Sequence, residues 1–415
     1  MTLIRRLRST FGDPTLLLLI LGLSLFGVAM VFSAGQLDVP DPAVQGAWKK
    51  QLLFLGLSFA AFVAITRIQV RWFEWVAAPA YGLGLVLLAL TLVIGRGYGT
   101  AQGVKSWIDL GPILVQPSQF AILATILFLA RVMGNWREPP RSLWTLVTPV
   151  MVVLVPMALV MLQPDLGTAM VFTAILAATL YWAGTPLGLM FMLVSPAVGL
   201  LLSFSPGLFS AYMVVLVVFL YFYRSYLWEG VTVVAANLAA GTIALPLWNS
   251  LEAYQKARLL VFLDPSIDPR GAGWHVIQSR VAIGSGGLFG KGFTLGTQKR
   301  LAFLPEQHTD FIFSVIGEEF GFFFGTFPVL VVFGLVLWRL ARIAERVADP
   351  FAGIVVFGIF GAWFAHVIVN IGMTVGIMPI TGIPLPFLSY GGSFLLASFL
   401  ALGLAERIAA EQGRI

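Results

Sequence analysis

Residues 251–311 read LEAYQKARLLVFLDPSIDPRGAGWHVIQSRVAIGSGGLFGKGFTLGTQKRLAFLPEQHTDF. This is the one long polar stretch in a chain that is otherwise mostly apolar. Connections of this length are uncommon and are functional or disordered. The composition is not that of disorder, because Trp274, Phe293, Phe303 and several Ile and Val give it material to pack. Lys256, Arg258, Arg270, Arg280, Lys291, Lys299 and Arg300 stand beside Asp264, Asp268, Glu306 and Asp310. A folded, mixed-charge loop between membrane helices is where the chemistry is expected.

On both sides of this loop the chain is a series of apolar runs. Of its 415 residues, 59% are hydrophobic and 11% charged, against about 25% charged in a soluble domain. The expected fold is therefore all-α: one polytopic membrane helix bundle over residues 1–415, with no separate soluble domain. The absence of cysteine excludes disulfides, cysteine-held iron–sulfur clusters and thiolate zinc. Three histidines, His275, His308 and His366, make a multi-histidine metal site a poor expectation. A pI near 9.7 is also a mark of nucleic-acid binding, but many of the cations flank apolar runs, as the positive-inside rule expects of a membrane protein. No nucleic-acid partner is expected.

Counting in units of about 20 apolar residues gives twelve spans, near 15–34, 51–66, 73–94, 117–133, 143–163, 166–184, 187–203, 207–223, 230–249, 311–338, 351–377 and 393–408. The second, fourth and seventh are the short ones. Arg5, Arg6 and Arg8 before the first span place the N-terminus in the cytoplasm, and that span reads as an uncleaved anchor because Phe32 is bulky for a cleavage site ending at Ala34. Arg67 and Arg71, then Arg131, Arg137 and Arg141, then Arg224, then Arg339, Arg342 and Arg346 fall in cytoplasmic loops, the short turn at Gly184 to Pro186 carries no cation, and the tail adds Arg407 and Arg414. Both termini are then cytoplasmic and the 251–311 loop is extracytoplasmic. Residues 377–392, IMPITGIPLPFLSYGG, hold three prolines among their glycines and argue against a straight helix. Irregular backbone at membrane depth is tolerated only against protein or a wet cavity.

Within the loop, Asp310 of HTDF sits where the chain enters a helix. It reads either as a helix N-cap or as a general base near the headgroups, and the two agree only if the carboxylate stays accessible. Ser314 and Glu318 follow on the same side of that helix. Glu318 and Glu319 lie inside a span, where acids are functional or are held by hydrogen bonds and a basic neighbour. Residues 284–292, GSGGLFGKG, miss the phosphate-loop spacing twice, at Ser285 and at Gly292. They read as a glycine turn, or as a turn whose amides touch a phosphate. The loop cations suit a diphosphate or are simply solvated. Asp310 and Glu306 have the oxygens that a divalent cation (Mg or Mn) bridging phosphates would take. His366 and Asn370, four apart, read as a hydrogen-bonding pair between segments rather than as ligands.

Several motifs together resemble the SEDS family (shape, elongation, division and sporulation) of bacterial cell-wall polymerases. They are GAGWHVIQS at 271–279, IGSGGLFGKG at 283–292, GTQ at 296–298, FLPEQHTDFIF at 303–313, QPDLGT at 163–168, NIGM at 370–373 and GIPLPFLSYGGS at 382–393. VAIGSGG at 281–287, with NIGM and GIPLP, resembles the elongation branch more than the division branch. The resemblance implies a peptidoglycan glycosyltransferase that polymerises lipid II, an undecaprenyl-diphosphate disaccharide pentapeptide, outside the cytoplasmic membrane. It also implies a class B penicillin-binding protein as partner. The family's essential aspartate maps onto Asp310. Arg280, Lys291 and Lys299 become candidate diphosphate contacts. Trp107 and Lys50, with Lys49 and Gln51 beside it, are candidates for the substrate groove, as are Glu306, His308, Asp165 of QPDLG and Ser389 of SYGGS. Two departures stand out. Gln119 and Ile122 replace an acid and a base usual in the fourth helix, and two extra spans near 207–249 precede the loop and could reshape a partner-binding face. A lipid flippase and a non-enzymatic scaffold are the competing functions.

Overall fold

Inside a bilayer, helices satisfy their own backbone N–H and C=O groups, and the apolar runs fold accordingly. The structure, a computed structural model, describes residues 12–38, 44–97, 105–111, 114–251, 253–269 and 271–412. Arg5, Arg6, Arg8, Arg270 and Arg414 lie outside the described residues, as does the side chain of Arg258.

The first helices are α1 (Pro14–Ala34), α2 (Ala47–Ile65) and α3 (Val70–Ile94), followed by a short hairpin of β1 (Ile108–Asp109) and β2 (Leu114–Val115). Next come α4 (Pro117–Met133), α5 (Leu143–Leu162), α6 (Leu166–Trp182), α7 (Leu187–Leu202), α8 (Pro206–Tyr223) and α9 (Leu227–Ser250). The loop holds α10 (Ala253–Leu263), α11 (Ala272–Gly286) and α12 (Thr297–Arg300). The chain closes with α13 (Ile312–Gly321), α14 (Phe327–Arg346), α15 (Pro350–Val375) and α16 (Gly392–Gln412). Among the described residues, nine apolar helical runs are long enough to cross a membrane and three more, α4, α6 and α7, are shorter. That makes the twelve expected. The second span is not short: it starts at Ala47 because Lys49 and Lys50 stay exposed while Gln51 finds a partner in the site.

The bundle is organised on α15 and α16. Their apolar windows are 83% and 78% buried, against 11% for α8. α15 packs against α4, α6, α11, α13, α14 and α16, while α2 lies on α16 and α3 on α4. The spans near 207–249, α8 and α9, pack on α7 at the margin. They are pinned there by Asn237 Nδ2 to Ser195 Oγ (2.9 Å) and Tyr212 OH to the Ser195 carbonyl (2.8 Å).

The cationic turns gather at one end. Arg407 reaches the Thr66 carbonyl, Arg131 reaches those of Glu74 and Trp75, and Arg339 pairs with Asp13. The Asp13 N–H donates to Glu406 Oε2 at 2.7 Å, so the first and last described helices meet at this end.

The run 311–338, read as one span, is interrupted. After Gly321 the helix passes through a π turn, Phe322–Thr326, before α14. The glycine-rich segment 284–292 supplies the bonds that the break releases. Lys291 and Gly292 N–H donate to the Glu318 and Glu319 carbonyls (3.0 and 2.9 Å), and Phe322 and Phe323 N–H donate to Gly287 and Leu288 (3.0 and 2.9 Å). This corrects the phosphate reading of 284–292, because the amides of Lys291 and Gly292 are spent on the broken helix. Only glycine fits at Gly290: φ is +81° and a Cβ would run into the Glu319 carbonyl oxygen. Gly290→Ala should cost at least about 1–3 kcal/mol from backbone strain alone, read as a lower unfolding midpoint in detergent.

Candidate active site

At the end opposite the cationic turns, Glu306 takes a left-handed conformation, φ +49°. Its carbonyl then accepts the N–H groups of Thr309, Asp310 and Phe311 (3.2, 3.1 and 3.3 Å). This turn sets Asp310 just outside α13. The N-cap position is Phe311, so the capping reading of Asp310 does not hold. Phe311 and Ile312 are sealed in the core, whereas Asp310 is half-buried.

Three successive carbonyls of this turn each receive a donor from the C-terminal third of the chain. His308 O accepts the Tyr390 N–H (2.9 Å), Thr309 O the Ser389 hydroxyl (2.5 Å) and Asp310 O the Asn370 amide (2.9 Å). Residues 376–391 are irregular, as their prolines require. A Cβ on Gly382 would stand 3.2 Å from Asp310 Oδ2, so this segment runs beside the carboxylate. Gln51 joins it to α2, donating to Ser389 O (3.1 Å) and accepting from Gly391 N–H (3.2 Å). A Cβ on Gly167 would meet the Thr381 carbonyl oxygen at 2.9 Å, which brings the start of α6 to the same segment. Asp165 caps α6, accepting from Thr168 N–H (2.9 Å) and Thr168 Oγ1 (2.8 Å).

The predicted site residues divide on burial. Lys50 is exposed on the same rim, next to Gln51. Arg280 is exposed on α11, with its Cδ 3.4 Å from where a Gly376 Cβ would be, and no carboxylate pairs with it among the described residues. Trp107 is half-buried just before β1, its backbone bridged to Arg96. Glu306 is half-buried, with Oε2 accepting from the Thr309 hydroxyl at 3.2 Å.

Others are corrected. Lys299 is fully buried: its Nζ lies 2.6 Å from Glu319 Oε1 and 2.6 Å from the Ser33 carbonyl, so it does not face a diphosphate. Burial pulls its ammonium below the ordinary lysine range, and the Glu319 carboxylate pulls it back up. Lys291 is partly exposed, but its Nζ is bonded to Glu318 (2.8 Å) and Thr297 (2.7 Å). Ser389 is buried and uses its hydroxyl both ways, donating to Thr309 and accepting from Leu385 N–H (2.8 Å); it staples the site rather than touching substrate. His308 is buried with its ring 5.4 Å from that of Tyr390. Ser314 and Glu318 turn inward, Ser314 to Ser279 Oγ at 2.7 Å, and do not share Asp310's surroundings.

Gln119 and Ile122 line a cavity of about 30 Å³ with Trp363, His366, Phe394 and Ser398. Gln119 bonds Gln116 at 3.2 Å, so a neutral pair is accommodated without an ion. No group of three His, Asp or Glu side chains suited to a metal occurs among the described residues. Asp310 and Glu306 fit only a cation whose remaining ligands come from substrate phosphates and water, as Mg²⁺ commonly takes.

Sequence reasoning missed Ser33, Ser279 and Gln307. Ser279 Oγ donates to Thr374 O (2.6 Å) and Gln307 Nε2 to Ala34 O (2.8 Å). Ser33 is a polar side chain among apolar neighbours, whereas Ser279 and Gln307 stand in polar sequence and nothing local sets them apart.

The model of a cell cycle protein family, FtsW/RodA/SpoVE, matches residues 14–211 and 200–414. The peptidoglycan glycosyltransferase RodA of Treponema pallidum is 35% identical over 435 aligned positions, covering 96% of this chain and 98% of that protein. The peptidoglycan glycosyltransferase MrdB of Escherichia coli K12 is 34% identical, covering 95% and 93%. Among solved structures, a chain from a work on the coordination of polymerization and crosslinking by a peptidoglycan synthase complex superposes with a TM-score of 0.69 at 28% identity, covering 97% of this chain and 99% of that one. The rod shape determining protein RodA of Thermus thermophilus gives 0.62 at 27%, covering 96% and 97%. The motifs, the helical bundle and these matches over nearly the full length agree: the chain belongs to the FtsW/RodA/SpoVE family, the SEDS family, close to RodA.

Proposed function

We propose that this chain is a peptidoglycan glycosyltransferase that polymerises lipid II at the outer face of the bacterial cytoplasmic membrane during elongation, with Asp310 as general base. One observation carries the reading. A half-buried carboxylate stands outside its helix, on a turn gripped at three consecutive carbonyls, at the rim of an apolar bundle. The acceptor sugar's 4-hydroxyl gives its proton to Asp310 as its oxygen attacks the donor's anomeric carbon. The bond from that carbon to the lipid diphosphate breaks, and the diphosphate leaves with the electron pair.

Arg280 and Lys50 are the exposed cations at this rim, suited to stabilise the charge that develops on the leaving group. Trp107 lines the sugar or lipid path. A divalent cation held by Asp310, Glu306 and substrate phosphates would shield the diphosphate charge. The cationic end supports this sidedness: by the positive-inside rule Arg67, Arg71, Arg131, Arg339 and Arg407 face the cytoplasm, as both termini would, with Asp310 on the outer side. The partner is a class B penicillin-binding protein, and membrane lipid surrounds the exposed apolar faces.

Purified protein mixed with lipid II in detergent should form glycan polymer. A flippase has no two sides to work between in detergent and would form none, so absence of polymer from folded protein overturns the reading.

A further inference from the structure

We infer that Asn370 is a positioning residue for Asp310, clamping the turn that carries the carboxylate to the 381–386 segment beside it. The inference rests on Asp310 acting as the base. Asn370 is fully buried on α15, whose apolar window is 83% buried. Its Nδ2 lies 2.9 Å from the Asp310 carbonyl and 2.8 Å from the Ile383 carbonyl. Both partners are carbonyls and can only accept, so the amide's NH₂ must face them and the orientation of the side chain is settled by its surroundings. One NH₂ therefore bridges the base's own residue to the segment that flanks its carboxylate. Four residues earlier on the same face, His366 Nδ1 donates to the Pro384 carbonyl at 3.1 Å. Helix α15 thus holds Ile383 and Pro384 from one rigid element and Asp310 from the same element. Gly382, next in sequence, has φ +71° and leaves only 3.2 Å between a would-be Cβ and Asp310 Oδ2. The spacing between the carboxylate and the wall of its site is therefore set through Asn370.

Asn370 touches no reacting atom in this account, so its loss acts on geometry. A displacement of about 1 Å at a catalytic group costs on the order of 10²-fold in rate. Asn370→Ala, assayed on lipid II and normalised to folded protein, should show a fall in kcat of that order with KM nearly unchanged. Asn370→Leu keeps the size but has no N–H or O–H to donate to either carbonyl, and it should behave in the same way. A kcat per folded molecule equal to that of the unsubstituted protein overturns the inference, as does an effect confined to KM. So does the failure of both variants to fold, which would assign Asn370 to stability alone. Asp310→Asn, run beside them, separates the two readings. If it is inactive while the Asn370 variants are fully active, only the positioning role falls. If it polymerises lipid II, the base assignment falls first.

Discussion

Asp310→Asn should lower the rate of polymerisation by about 10²–10⁴-fold, the usual contribution of a positioned acid or base, and leave the fold intact. The substitution keeps the shape of the side chain and removes its basicity. The acceptor hydroxyl must then lose its proton to water during attack. Tyr390, Ser389 and Asn370 bond the backbone carbonyls of His308, Thr309 and Asp310, so they keep their partners in the variant. The measurement is initial rate on lipid II beside the unfolding midpoint: rate lost with midpoint kept is the expected pair.

The second large effect is on stability. Lys299→Met should destabilise the protein by about 3–5 kcal/mol, because it strands the buried Glu319 carboxylate without its cation. The group it would abandon is shared: Ser33 Oγ also donates to Glu319 Oε1 at 2.6 Å, so α1, α12 and α13 meet on this one carboxylate. Replacing both charges together, Lys299→Met with Glu319→Leu, should recover most of that loss, since paired removal of a buried ion pair is often near neutral. Unfolding midpoints of the single and double variants in one detergent check this. A single variant as stable as the parent would mean the pair is not sealed from water.

These two residues also mark what the sequence made legible. The twelve apolar helices followed from run length and hydrophobicity, which are local. Asp310 stood out because its motif and its place at a span boundary are local too. Lys299 was misread because its partners lie 20 and 266 residues away, at Glu319 and Ser33, and a lysine in a polar loop looks solvated until the helix behind it is placed. Ser389 was misread for the same reason: its hydroxyl is consumed by a carbonyl 80 residues away.

The broken span shows the limit most clearly. Residues 311–338 are long and apolar enough to read as one span, and Gly321, Gly325 and Pro328 only hint that the helix can open there. The break exists because 286–292 returns to bond it, and the glycines that first suggested a phosphate loop are there for backbone to approach backbone. The irregularity of 377–392, by contrast, was readable from its prolines alone.

The central claim is that the Asp310 side chain faces the outside at the rim of the bundle, reachable by a sugar hydroxyl. The chain contains no cysteine, so Asp310→Cys introduces a thiol that reports one place only. Spheroplasts carrying this variant, treated with a membrane-impermeant maleimide, should be labelled while the membrane is intact. Labelling only after permeabilisation, or none at all on folded protein, would contradict the account.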